Sequence, residues 1–557
     1  MPANPRPLRN LRRPPTPAPR VTALVSLAAT LILTASGLAA ATTINAKSAS
    51  QSDVAAAIAS AADGDIVTIP GGTASWTRTI RVKKGITIQG AGVGSTIIKD
   101  SVQSGPLLDC PLAAGNLTRI TGIEFQDGGR SRNELGGILK FTGSNTNGSQ
   151  FRMDHCQFDD LNGVVVVDTV IGVIDHNTFI RAAKNGGSIV VYDNFWNGGT
   201  FGDGSWADAT QFGTDRFLFI EDNVFKNNGG GQPGITDSYA GGRFVVRHNQ
   251  IFDGTVETHG TESNQRARGV RAVEVYNNTY TGSDRNRFVG KMRSGVILFH
   301  DNTITGYWTG LTEFTLQAYR VDDVFAPWGG ADGTSQWDVN SGPFYSGTAS
   351  AGGNHIVSLS GSPWTPNQWG GYTIRRDAGG SPGFAQIQSN TSNTITFLGG
   401  VFGSLNFNAG DAFKIYKVNQ AIDQPGRAKG SLITGNPPVK PARWNDQNTE
   451  PCYAWDNISG GTQQVGFGQG DLIIRPGEHY FNNTPMPDYT PYTYPHPLVK
   501  GLPPPEQITR KANENSQHNL RKKRQPWGGI KLDRKKPKKA NESPTNEMAD
   551  AQDDPGN

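Results

Sequence analysis

The stretch VETHGTESNQRARGVR, residues 256–271, places one His, two Glu and three Arg between segments of apolar alternation. Asp237, Tyr239 and Arg243 stand a short way upstream. Such an inventory suits proton transfer beside a carboxylate. His259 or Tyr239 offers a base or an acid. Arg243, Arg268 and Arg271 offer planar forks that grip a carboxylate and neutralise charge developing on it. Glu262 joins the same candidate catalytic set. Asp237 and Glu257 are oxygen donors of the kind Ca²⁺ prefers. Hydrolysis is served by the same segment, since it needs two carboxyl groups flanking a glycosidic bond, and Asp237, Glu257 and Glu262 are available. Plainer readings stand beside these. The glutamates could pair with Arg266, Arg268 or Arg271 as a surface network. His259 next to Gly260 could be a turn residue, Tyr239 a packing residue, and Arg243 an ordinary strand residue.

What must position these residues is a repeat. Seven stretches align: FRMDHCQF, GVIDHNTF, LFIEDNVF, FVVRHNQI, VEVYNNTY, ILFHDNTI and CYAWDNIS. Their shared position is Cys156, Asn177, Asn223, Asn249, Asn278, Asn302 and Asn457. A unit of twenty-odd residues cannot bury its own apolar face, so neighbouring units must stack. Five and three residues before the shared position the side chains are mostly apolar, as in Phe151/Met153, Leu218/Ile220 and Val273/Val275, and alternation turns them inward. Two residues before it stand Asp154, Asp175, Glu221, Arg247, Tyr276, His300 and Trp455, which alternation turns outward. With strands about 4.8 Å apart, this row is expected to run along one outer face. Arg247, Tyr276, His300 and Trp455, together with Arg271, are the candidate sugar-binding residues. The aligned Asn are expected to bond along the stack and to turn backbone.

The 70 Gly, the low charged fraction of 18% and the many short apolar runs favour all-β architecture. Of the net charge of +4, five arginines belong to residues 1–20 and a net +5 to residues 510–557, which leaves −6 on residues 21–509. A mildly acidic body argues against a nucleic-acid partner. The basic start followed by VTALVSLAATLILTASGLAA reads as an export signal cleaved near Ala40 or Ala41, and no later run is long enough to span a bilayer. Three cysteines make no disulfide scaffold and no zinc spacing.

SQSDVAAAIASAADGDIVTIPGG and TIRVKKGITIQGAGVGSTII, at 50–72 and 79–98, resemble the opening of pectin-lyase-like right-handed β-helix proteins. RMDHCQF and VIDHNTF resemble the WIDH stretch of pectate lyases, with Arg or Val in place of Trp. The resemblance covers roughly residues 50–310 and 430–500. It implies an amphipathic helix, DVAAAIASA, capping the first coil. The pectate-lyase RxPxxR motif and a close match to the polygalacturonase set are absent, so the resemblance speaks for fold and leaves the activity open.

The expected architecture is an all-β chain, a right-handed parallel β-helix (solenoid) with a small inserted β module. A signal peptide occupies 1–41 and the β-helix with its capping helix 50–310. An excursion from the helix follows at 311–340, the inserted module at 341–420, and final coils and a cap at 421–500. A disordered charged tail fills 501–557. In the module Trp364, Trp369 and Tyr372 either stack on sugars or form its core, and Trp308, Trp328 and Trp337 face the same choice. The expected function is cleavage of an extracellular, uronate-containing polysaccharide by β-elimination, by a secreted or cell-surface monomer with Ca²⁺ as its candidate cofactor. The alternatives are a glycoside hydrolase, a C5-epimerase, and a non-catalytic glycan-binding or adhesin solenoid.

Overall fold

A computed structural model describes residues 41–501 except 113–114, 144–149, 183–188, 194–208, 229–233, 261–268, 284–287, 308–312, 318–342, 344, 370–372, 377–383, 398–404, 417–424, 427–448 and 470–473. Three long sheets dominate it. Sheet A has 12 strands, from Thr43–Asn45 to Tyr480–Asn482. Sheet B has 11 strands and sheet C has 10. Each coil contributes one strand to each sheet: Gln150–Asp154 lies in A, Gln157–Asp159 in B and Gly163–Asp168 in C. The next coil repeats the path from Ile171–Asp175, paired parallel to Gln150–Asp154 with Met153 opposite Ile174. The chain is a right-handed parallel β-helix, the hand that successive right-twisted parallel strands favour.

Alternation sets the inside. Phe151, Met153, Leu218, Ile220, Phe244, Val246, Val273, Val275, Ile297 and Phe299 are all fully buried in one continuous core. Two residues after the shared position, Phe158, Phe179 and Phe225 continue a stack begun by Phe125, with centroids 5.4, 4.6 and 4.9 Å apart. The shared Asn form a ladder between sheets A and B. The backbone N–H of Asn223 donates to Asn249 Oδ1 at 2.9 Å, and that of Asn249 to Asn278 Oδ1 at 3.0 Å. The ladder runs from Cys156 to Asn457 without a gap. It satisfies buried turn groups that no strand partner reaches. The preceding residues, His155, His176, Asp222, His248, Asn277, Asp301 and Asp456, all lie at φ between 52° and 56°. Only Asn, Asp and His occur there, the non-glycine types that tolerate the left-handed region.

Helix Gln51–Ser60 covers the first coil with Val54, Ala57 and Ile58. Ser50 caps its first turn by accepting from the Asp53 N–H. Lys84 donates to the carbonyls of Ile58 and Ala59 at the other end, where helical carbonyls lack partners. Residues 345–416 form a seven-stranded antiparallel sheet with its own core. Trp364 and Trp369 lie inside that core, which removes them as sugar platforms. Tyr372, Trp308, Trp328 and Trp337 lie outside the described residues. The solenoid resumes when Cys452–Trp455 pairs parallel with Val296–His300.

The outward row of sheet A is not an open track. Residues 489–499 lie across it as a strap. Arg247 donates to the carbonyls of Tyr492 and Thr493 at 2.7 and 2.9 Å, and the His496 N–H donates to Glu221 Oε1 at 2.8 Å. Tyr492, Leu498 and Val499 pack on Val173, Phe219, Val245 and Tyr276. Tyr494 stacks on His248 with centroids 3.6 Å apart. Gly213 lets the strap approach: its φ is 74°, and a Cβ there would lie 2.1 Å from the Thr490 carbonyl oxygen.

Candidate active site

Sheet C carries the residues of the charged segment on its outer face. Its inward positions, Val165, Val167, Ile189, Val191, Val256 and Met292, belong to the core. The residues between them must therefore face out. The register aligns Val190 with Asp237, and Glu257 with Lys291. A second outward row, two residues on, pairs Asp168 with Tyr192 and continues through Tyr239, His259 and Arg293. The continuation follows from backbone bonds: His259 N–H to Ser238 O at 2.8 Å, and Thr258 N–H to Lys291 O at 3.1 Å. Val190 is buried, and the other outward residues of these two rows are half-buried.

At the centre, His259 Nδ1 lies 2.5 Å from Asp237 Oδ1. The Ser238 N–H also donates to this carboxyl oxygen, at 2.7 Å, and holds it in place. An imidazole oriented through Nδ1 by a carboxylate presents Nε2 on its opposite side. The backbone that carries the ring is tied down as well: Ser294 Oγ donates to the His259 carbonyl at 3.1 Å. On one side of the pair, Tyr192 and Tyr239 bring their rings to 4.3 Å at 44°. On the other, Arg293 approaches Glu257 at 3.6 Å, and the Lys291 ammonium sits 4.4 Å over the Phe288 ring. Tyrosine, an Asp–His pair and two cations thus occupy successive rungs of one face.

Of the residues singled out by type and spacing, Asp237, Tyr239, Glu257 and His259 come together here. Arg243 stands at the margin. Its side chain is only 7% exposed, with Nη1 at 3.8 Å from Asp193 and Nη2 donating to the Ala209 carbonyl at 3.1 Å. Arg271 is fully buried and paired with Glu450 at 2.8 Å, so it joins the returning chain to the solenoid and does not reach a substrate. Arg247, Tyr276, His300 and Trp455 lie on a different sheet beneath the strap, buried to 9% exposure or less, and are corrected from sugar contacts to packing and anchoring residues. His300 stacks between Tyr276 and Trp455 at 4.7 and 4.1 Å. Glu262 and Arg268 lie outside the described residues.

Lys291, Arg293 and Tyr192 are missing from the reading by residue type. For Lys291 and Arg293 a signal was available: GKMRSG at 290–295 carries charged residues at i and i+2 shortly before a Gly, as VETHG at 256–260 carries Glu257 and His259. It stood apart because a whole coil turn separates segments that the sheet makes neighbours.

Ca²⁺ does not fit the described donors. Asp237 is engaged by His259, and Glu257 by Arg293. The next residue in the Glu257 row is Lys291, whose ammonium would oppose a cation. Among the described residues no group of three or more His, Cys, Asp or Glu is placed to hold a metal.

No protein-family model matches the chain, and a search of curated proteins gives no match. Among solved structures, a PL6 family alginate lyase, determined as a mutant, is similar at 19% identity and a TM-score of 0.29. The likeness covers 48% of this chain and 39% of that one.

Proposed function

We propose that this protein is a polysaccharide lyase acting on a uronate-containing glycan at the outer face of sheet C. One observation carries the reading: an Asp237–His259 pair at 2.5 Å shares a half-buried face with Lys291 and Arg293. β-Elimination needs those two functions side by side. His259 Nε2 takes the proton from C5, the carbon bearing the carboxyl group. Negative charge then spreads into that carboxyl, where Lys291 and Arg293 neutralise it. As the charge returns, the C4–O4 bond breaks, a C4–C5 double bond forms, and Tyr239 supplies a proton to the leaving oxygen. Tyr239 stands one rung from His259, about 4.8 Å along the sheet. Asp237 orients the imidazole and stabilises its charged form once the proton has been taken. The cationic pair beside the Asp–His pair favours elimination over hydrolysis, because among the described residues the candidate carboxylates Asp237 and Glu257 are already paired.

The proposed setting is extracellular, with export directed by the basic and apolar start of the chain and with a soluble glycan as partner. Among the described residues no helix is long and apolar enough to cross a membrane. The test is incubation of the purified protein with a panel of uronate polysaccharides while following ultraviolet absorbance of the unsaturated uronate. The expected result is a rise that disappears in His259→Ala and in Arg293→Ala. New reducing ends without that absorbance would replace the reading with hydrolysis by Asp237 and Glu257. Inverted C5 centres without chain cleavage would make the protein an epimerase. Binding without any of these would leave a glycan-binding solenoid.

A further inference from the structure

Beyond Lys291 and Arg293, sheet C continues through the strand Phe314–Leu316 to its edge strand, Phe467–Gln469. Phe314 and Leu316 are fully buried in the core, so Glu313, Thr315 and Gln317 face outward. The register sets Thr315 beside Lys291. The Gln317 N–H donates to the Met292 carbonyl at 2.9 Å, which sets Gln317 beside Arg293. All three outward side chains are half-buried. Among the described residues the Glu313 carboxylate, the Thr315 hydroxyl and the Gln317 amide make no hydrogen bond or ion pair. The next rung opposite Thr315 is Gly468, where a Cβ would lie 2.5 Å from Glu313 Oε2. The missing side chain is what lets the carboxyl lie over that rung. Polar groups partly withdrawn from water favour a ligand that supplies their missing partners.

Taking the proposed lyase reading as its basis, we infer that Glu313, Thr315 and Gln317 form the subsite for the sugar that follows the reacting uronate toward the reducing end of the glycan. The chemistry of the step gives the direction. The uronate whose carboxyl meets Lys291 and Arg293 is the sugar that loses its C4–O4 bond. Its O4 leaves with the sugar on the nonreducing side and takes a proton from Tyr239, on the side of earlier coils. The anomeric carbon of the uronate, and the sugar attached through it, therefore point toward later coils. The next rung that way, about 4.8 Å on, carries Thr315 and Gln317. Hydroxyl, amide and carboxylate are the groups that recognise sugar hydroxyls. The pyranose donates to Glu313 and to the Gln317 carbonyl, and accepts from the Thr315 hydroxyl and the Gln317 N–H groups. Tyr239, His259, Arg293 and Gln317 then occupy four successive rungs, over about 14 Å, and fix the polarity of the bound chain. Its reducing end lies toward the C-terminal coils.

The experiment uses 1,4-linked oligouronates, and oligomers alternating uronate with N-acylated hexosamine, of increasing length and labelled at the reducing end. Cleavage positions and KM are measured on the parent protein, Gln317→Ala and Thr315→Val. Binding is measured by calorimetry on His259→Ala, with and without Gln317→Ala. The parent is expected to show a KM about tenfold lower when one sugar follows the uronate on its reducing side than when the oligomer ends at the uronate, the scale of one or two hydrogen bonds. Gln317→Ala and Thr315→Val should remove most of that gain, with kcat within about twofold and the unfolding midpoint unchanged, as expected for binding shared by ground and transition states. Equal KM with and without that sugar, or a loss in the variants that tracks sugars added at the nonreducing end, overturns the inference while leaving the lyase reading intact. Binding that tightens with the added sugar and weakens in Gln317→Ala, without product from any oligomer, overturns the lyase reading and keeps the subsite. Binding of no oligomer overturns both.

Discussion

Glu274 offers the sharpest quantitative test of the structure. It faces outward from sheet A, yet it is 1% exposed because the strap covers it. Tyr489 of the strap donates to its Oε2, and the Gly213 N–H donates to Oε1 at 2.9 Å. Burial under the strap pushes its carboxyl up from 4.5 to about 7, against the opposing pull of these donors. The folded protein thus holds a proton that the unfolded chain releases near pH 4.5. Stability from this group is fully present below that pH and is lost as the pH rises through 7. At 1.36 kcal/mol per pH unit the loss is about 3 kcal/mol. His496, on the same strap, works in the opposite sense. Burial holds it down to about 4, so its contribution is present above its ordinary value of 6.5 and is lost as the pH falls through 4. The two slopes overlap, and only a difference between variants isolates one of them. Urea unfolding of the parent and of Glu274→Gln, from about pH 4 to about pH 8, supplies that difference. The variant keeps an acceptor for Tyr489 and carries no charge. Its stability relative to the parent should therefore rise with pH, by up to about 3 kcal/mol. Parallel curves across that range would refute the placement of Glu274 beneath the strap.

Four further outcomes follow from the same contacts. Asp237→Asn should lower kcat by roughly a hundredfold or more while leaving the unfolding midpoint nearly unchanged, because it disturbs the orientation of His259 and not the core; kinetics and denaturation on one sample check both halves. Arg247→Ala strands the buried Glu221 and releases two strap carbonyls, so it should cost about 3–5 kcal/mol and make residues 489–499 the first site of proteolytic cleavage. Asn249→Ala deprives the Asn223 backbone N–H and side chain of their acceptor inside the turn and should cost about 2–4 kcal/mol by urea unfolding. Chelator treatment should leave glycan cleavage within about twofold of the untreated rate, since Asp237 and Glu257 are held by His259 and Arg293; a collapse restored by added Ca²⁺ would show that the pairs open to take the ion.

Much of the solenoid is legible in single segments. The inward pairs such as Phe244/Val246, the ladder Asn at a shared position, and the Asp, Asn or His before each of them are all local signatures. Each coil repeats the same backbone problem, and the residues that solve it recur. The Asp237–His259 pair was also within reach, since few other stretches concentrate so many groups able to transfer protons. What only the tertiary structure decided is which outward residues meet solvent. Alternation turns Arg247 and Tyr276 outward as surely as it turns His259 outward, but it carries no information about what covers them. Arg247 is closed by carbonyls 245 and 246 residues further along the chain. Lys291 and Arg293 reach the His259 face because sheet C aligns Glu257 with Lys291 across a full coil. Periodicity is written residue by residue, while burial of an outer face and assembly of a site depend on pairings that close long loops.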